Sequence, residues 1–106
     1  MNKYLLGFTF CILAPSLYAD PPRYPVEKYC KSVADISGGS AMIFNGCIEM
    51  EQSSYNVLKT NWDRYAAQSR SYCAEVAQFS GGSYSILEGC IEMEEGARGN
   101  TSTFQY

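Results

Sequence analysis

The sequence predicts an all-α fold made of two disulfide-stapled antiparallel helical hairpins in tandem, three to four helices in all. Three observations predict it. An internal repeat relates Tyr29–Glu51 to Tyr72–Glu94 at an offset of 43 residues, with 15 of the 23 aligned positions identical. Apolar residues on both sides of a Gly-Gly pair recur at helical spacing in each copy. A cysteine stands eight residues before the first glycine of each pair and another stands eight residues after the second.

The first element is an export signal over residues 1–19. Lys3 carries the positive charge, Tyr4 to Leu13 form an apolar stretch of signal length, and Pro15 breaks it ahead of a cleavage site after Ala19. Cys11 leaves with this segment. Residues 20–25, with three prolines, read as an extended lead-in, and residues 96–106 read as a loose polar tail. Between them lie a first hairpin repeat over 26–60 and a second over 61–95.

In the first repeat Val26, Tyr29, Cys30 and Val33 fall at i, i+3, i+4 and i+7, one face of a helix, and Tyr65, Ser69, Tyr72, Cys73 and Val76 repeat the pattern. Gly38-Gly39 and Gly81-Gly82 end these helices, where a left-handed residue is needed, and Ser40 and Ser83 are placed to cap the helices that follow. The following helices carry the apolar stripes Ile43, Phe44, Cys47, Ile48, Met50, Tyr55 and Leu58, and Ile86, Leu87, Cys90, Ile91 and Met93. Residues equidistant from the turn of an antiparallel hairpin lie side by side, so Cys30 pairs with Cys47 and Cys73 with Cys90. Gly46 and Gly89, costly in mid-helix, suggest close approach of the two helices at each staple. Residues 51–70 contain no Gly or Pro and read as helical, with a break near Thr60-Asn61 where Asn61 caps a new helix from Trp62.

Composition narrows the function classes. There is no histidine, which removes the commonest general base and metal ligand. Loss of Lys3 with the signal leaves a net charge of −4, which argues against electrostatic binding of nucleic acid, and no apolar run is long enough for a membrane span. The four remaining cysteines, even in number in a short exported chain, read as structural disulfides rather than zinc ligands or a redox pair. No cofactor, metal site or enzyme chemistry is expected. Glu49, Glu51, Glu92 and Glu94, with Glu88 and Glu95, read as a solvated acidic face, and Met50 and Met93 as core. Tyr84, Trp62 and Tyr65 are the candidate recognition residues, being aromatic side chains with one polar end. Tyr84 stands where the first copy has Ala41, a divergence that suits either a core or a recognition role.

The tandem skeleton of Cys, Val-Ala, Gly-Gly-Ser and Gly-Cys-Ile-Glu-Met-Glu over Tyr29–Glu94 resembles that of small exported bacterial proteins of unknown function with Cys-x16-Cys helical-hairpin repeats. That resemblance implies an architecture and no catalytic residues. The leading expectation is therefore a periplasmic or secreted, non-enzymatic module that binds another envelope or secreted protein, for example as an inhibitor or immunity protein. The alternatives are a small-ligand or divalent-cation carrier using Glu49 and Glu92, or an envelope structural or stress protein.

Overall fold

The computed structural model describes residues 20–106, so the segment expected to be an export signal, with Cys11, lies outside the described residues. The architecture is all-helical: α1 (Val26–Ile36), α2 (Ala41–Asn61), a 3-10 turn (Trp62–Arg64), α3 (Ala67–Phe79) and α4 (Tyr84–Arg98). Disulfides join Cys30 to Cys47 and Cys73 to Cys90, each with a Cα–Cα separation of 5.5 Å. These are the two stapled hairpins that the spacing predicts.

Both hairpin turns use the same local chemistry. Gly38, Gly39, Gly81 and Gly82 all have positive φ, a region that side chains with a Cβ avoid. The second glycine closes each helix by donating its N–H five residues back, Gly39 to the Ala34 carbonyl and Gly82 to the Ala77 carbonyl, both at 2.9 Å. Ser40 Oγ then accepts from Ile43 N, and Ser83 Oγ from Ile86 N, so both serines cap as expected. Each bridge encloses an 18-residue loop, worth about 3 kcal/mol in the chain-entropy model.

The two hairpins share α2, a rod of 21 residues. Its seam of Phe44, Ile48, Glu51, Tyr55, Leu58 and Trp62 alternates steps of four and three, the spacing of a coiled-coil face. Contacts rise together along α2 and α4: Glu51 meets Ser83 and Tyr84, Ser54 meets Glu88, and Ala66 just past α2 meets Glu95. Helix α4 therefore runs parallel to the second half of α2 and begins ten residues into it, about 15 Å along the axis. The core forms at this contact, where Leu58, Trp62, Cys73, Ala77, Leu87 and Ile91 are buried. Among the helices described, α2 is the one that α1 packs on, while Tyr29 of α1 also lies against the Gly81 turn and Val26 borders the core.

Several sequence expectations are corrected. The α-helix ends at Asn61 and a 3-10 turn starts at Trp62, where the break is expected, but the Asn61 amide donates to the Val57 carbonyl instead of capping, and α3 starts only after Tyr65-Ala66. Helix α4 extends to Arg98, into the segment read as tail, where Arg98 pairs with Glu95 one turn back on the same helix and donates across to Gln68 of α3. A Cβ added at Gly46 or Gly89 would meet nothing within 4 Å, so close helix approach is not the reason for either glycine. Met50 and Met93 are 59% and 76% exposed rather than core, since each lies beside the packed seam and not on it.

The staples carry unequal burdens. Removing the first bridge by Cys30→Ser with Cys47→Ser is expected to release α1 while α2, α3 and α4 stay folded, because α1 has no other helix to pack on. Hydrogen exchange read residue by residue checks this: protection should fall in 26–36 and persist around Leu58, Leu87 and Ile91.

Candidate functional site

Hairpin-on-hairpin packing turns on one carboxylate. Glu51 is 1% exposed and sits at the N-terminus of α4, where the helix leaves N–H groups without intrahelical partners. Its Oε1 accepts from Ser83 Oγ at 2.6 Å and Ser85 Oγ at 2.9 Å, and its Oε2 accepts from Tyr84 N at 2.5 Å. A negative charge here is also favoured by the positive end of the helix dipole. Glu88 accepts from Ser54 Oγ, and Glu95 from the Ala66 N–H at the start of α3. The acidic cluster read as a solvated face is thus divided: Glu51, Glu88 and Glu95 fasten helix to helix, while Glu49 and Glu92 remain exposed. Among the described residues no three acidic or cysteine side chains come together as a metal site would require.

Tyr84 lies in the core at 5% exposure. Its hydroxyl donates to the Pro22 carbonyl at 2.7 Å and accepts from Tyr24 N at 2.9 Å, and its ring packs against Tyr24 and Tyr55 at centroid distances of 4.8 and 4.9 Å. The residue that distinguishes the second repeat from the first therefore anchors the lead-in to hairpin 2. Gly82 completes the anchor, since a Cβ there would come within 3.3 Å of both Tyr24 and Pro25. Burial, with Tyr84 beside it, pushes the Tyr24 phenol up to about 12. Burial raises Tyr84 as well, against the lowering effect of its bond to the Tyr24 backbone.

Trp62 is also buried, at 2% exposure, edge-on to Tyr65 with the Arg70 guanidinium 5.8 Å from its ring centroid. It floors a cavity of about 320 Å³ shared with Pro22, Tyr24, Arg70, Ala74 and Gln78. Tyr65 is half-buried, its phenol raised by burial and by the nearby Glu88, Glu92 and Glu95. Of the three predicted recognition residues, then, Tyr84 and Trp62 are committed to packing and Tyr65 borders the core, while Glu49 and Glu92, the candidate ligands of a small-molecule or cation carrier, face solvent.

The unsatisfied surface lies elsewhere, on the first half of α2. Helix α4 covers the α2 seam only from Glu51 onward, leaving Phe44 and Ile48 only half-buried on its upper half. The repeat equivalents of these residues, Leu87 and Ile91, are fully buried. The first turn shows the same contrast: an added Cβ at Gly39 meets nothing within 4 Å, whereas its counterpart Gly82 is tightly seated. Met42 is 81% exposed beside this seam, and an open cleft of about 340 Å³ involving Val26, Ile48, Gln52 and Tyr55 lies at its lower end. Repeat equivalence gave the signal that could have found this face: two matching apolar faces and only one covering helix.

Glu51→Gln is expected to destabilise the fold by about 2 kcal/mol, through loss of a charged acceptor for buried donors. Its repeat counterpart Glu94→Gln should change stability by less than about 0.5 kcal/mol. Urea unfolding of the two variants compares them directly. The raised Tyr24 and Tyr84 phenols hold their protons in the fold, so their contribution is complete below the ordinary tyrosine value of 10.0 and is lost as pH rises through the raised values, that of Tyr24 lying at about 12. Absorbance at 295 nm should show late-ionising tyrosines in the folded protein, and Tyr24→Phe should remove the latest.

Compared with protein-family models, curated proteins and solved structures, the chain matches none of them.

Proposed function

We propose that the protein is a non-enzymatic binding module of the periplasm or the extracellular medium, recognising another exported protein through the open face of its first hairpin. Two disulfides and the lack, among the described residues, of any helix long and apolar enough to cross a membrane are compatible with an extracellular or otherwise oxidising compartment. The observation that carries the reading is unequal burial of a duplicated unit. Hairpin 2 spends its apolar face on α2, while hairpin 1 carries the equivalent face with no helix over it.

Exposed apolar groups on a rigid support favour binding because little conformational freedom is left to lose. The Cys30–Cys47 staple supplies that rigidity without requiring the face to be buried. Ile36 and Met42, strongly exposed on either side of the first turn, add apolar area to hairpin 1. An inhibitor or immunity protein fits this arrangement, since such proteins work by occupying a surface rather than by chemistry.

The oxidised mature protein should capture a stoichiometric partner from an exported-protein fraction. Phe44→Ser combined with Ile48→Ser should abolish capture while the far-UV spectrum and the Leu58–Leu87–Ile91 core stay intact. Met93→Ser, on hairpin 2, should capture normally. Capture unaffected by the hairpin-1 substitutions would rule out this face.

A further inference from the structure

The structure contains one finished junction between a helical hairpin and a covering helix, and an unfinished one built from equivalent residues. In the finished junction Glu51 caps Ser83, Tyr84 and Ser85 at the start of α4. The helix that carries Glu51 then continues beside α4, laying Ser54, Tyr55, Leu58 and Trp62 along it. At the equivalent place in hairpin 1 stand Ser40, Ala41 and Met42, and only Ile43 N has found an acceptor, in Ser40 Oγ. The N–H groups of Ala41 and Met42 are without partners among the described residues, and Phe44 and Ile48 follow them in the places of Leu87 and Ile91.

This chain's own C-terminus is a poor occupant. The residues that follow Glu94 in the register of Ser54, Tyr55, Leu58 and Trp62 are Ala97, Arg98, Thr101 and Gln105, and the helix ends at Arg98. Repeat stacking is thus closed with a polar end at hairpin 2 and left open at hairpin 1.

We propose that the open face docks an amphipathic helix of a partner protein. That helix runs parallel to α2 and places a carboxylate on the Ala41 and Met42 N–H groups, as Glu51 does at Tyr84. Its apolar residues, three to four and seven positions further on, cover Phe44 and Ile48. Its end reaches the cleft between Val26, Ile48 and Tyr55, which lies where Trp62 would fall if the junction were repeated ten residues higher. The chemistry required is that of the α2 segment from Glu51 to Trp62: an acidic first residue, then small, aromatic and aliphatic positions on one stripe.

This inference rests on the proposed binding role of hairpin 1 and specifies the partner's chemistry. The probe is a synthetic peptide of residues 50–62, held helical by a lactam between positions 52 and 56, both of which face solvent. The oxidised, isotope-labelled protein is titrated with it and followed by amide chemical shifts. Saturable shifts at Ala41, Met42, Phe44 and Ile48 are expected, with about tenfold weaker binding when the peptide carries Glu51→Gln, the loss of one charge-assisted contact. Loss of binding in Phe44→Ser protein should accompany it. No shifts at millimolar peptide, or shifts confined to Tyr84, Leu87 and Ile91 through displacement of α2, would overturn the proposal. The same residues shifting with protein concentration alone would assign the face to a second copy of this chain and overturn it too. If capture of an exported partner depends on Phe44 and Ile48 while the peptide fails, the helix-docking inference falls and the binding role stands.

Discussion

The carboxylate of Glu51 at the start of α4 is the constraint on which the arrangement of the two hairpins depends. Hydrophobic burial is non-directional, so the apolar seams of α2 and α4 could slide by a turn at modest cost. A buried charge that must meet Ser83, Tyr84 and Ser85 together cannot slide. It sets the axial position of α4 at ten residues into α2. From that position follow the pairing of Ser54 with Glu88, the burial of Leu58 against Leu87 and Ile91, and the seat of Glu95 under the first turn of α3. The lead-in completes the lock from the other side. Tyr84, held at its backbone by Glu51, extends its hydroxyl to both Pro22 and Tyr24.

Two copies of nearly one sequence thus reach different ends through a few substitutions. Tyr84 in place of Ala41 gives hairpin 2 an anchor for the N-terminal segment, and Ser85 in place of Met42 gives Glu51 another donor. The first copy has a small side chain and an exposed thioether at those positions, and so gathers neither. Their shared residues serve what the copies have in common, the turn, the cap and the staple. Their differing residues decide which copy is buried.

Local features were legible in the sequence because they depend on contacts within one hairpin. The pairing of Cys30 with Cys47 and of Cys73 with Cys90 follows from counting residues on either side of a glycine pair, and the Ser40 and Ser83 caps from their place after it. What failed was whatever required knowing how one hairpin lies on the other. Glu51 belongs to a Glu-Met-Glu motif that reads as surface, and only the start of α4 against it makes a buried position out of it. Met50 and Met93 fail in the opposite sense: their place on a broad apolar stripe suggested burial, but the true seam is narrower and passes beside them. Tyr84 and Trp62 have the composition of recognition residues, yet the same size and polar end suit a core that needs large side chains and a hydroxyl to tie down an extended segment.

The staples explain how the open face is sustained. A helical hairpin of this size without cross-links needs its apolar face buried to remain folded, so the incomplete burial of Phe44 and Ile48 would ordinarily be a weakness. The Cys30–Cys47 bridge moves that requirement from the folded face to the unfolded chain, whose freedom it restricts. Hairpin 1 can then keep an apolar seam partly open to solvent while hairpin 2 supplies a conventional core around Leu58, Leu87 and Ile91. An exposed seam on a cross-linked support has little ordering left to lose on association, which is the condition under which a short contact of few residues becomes an effective recognition surface.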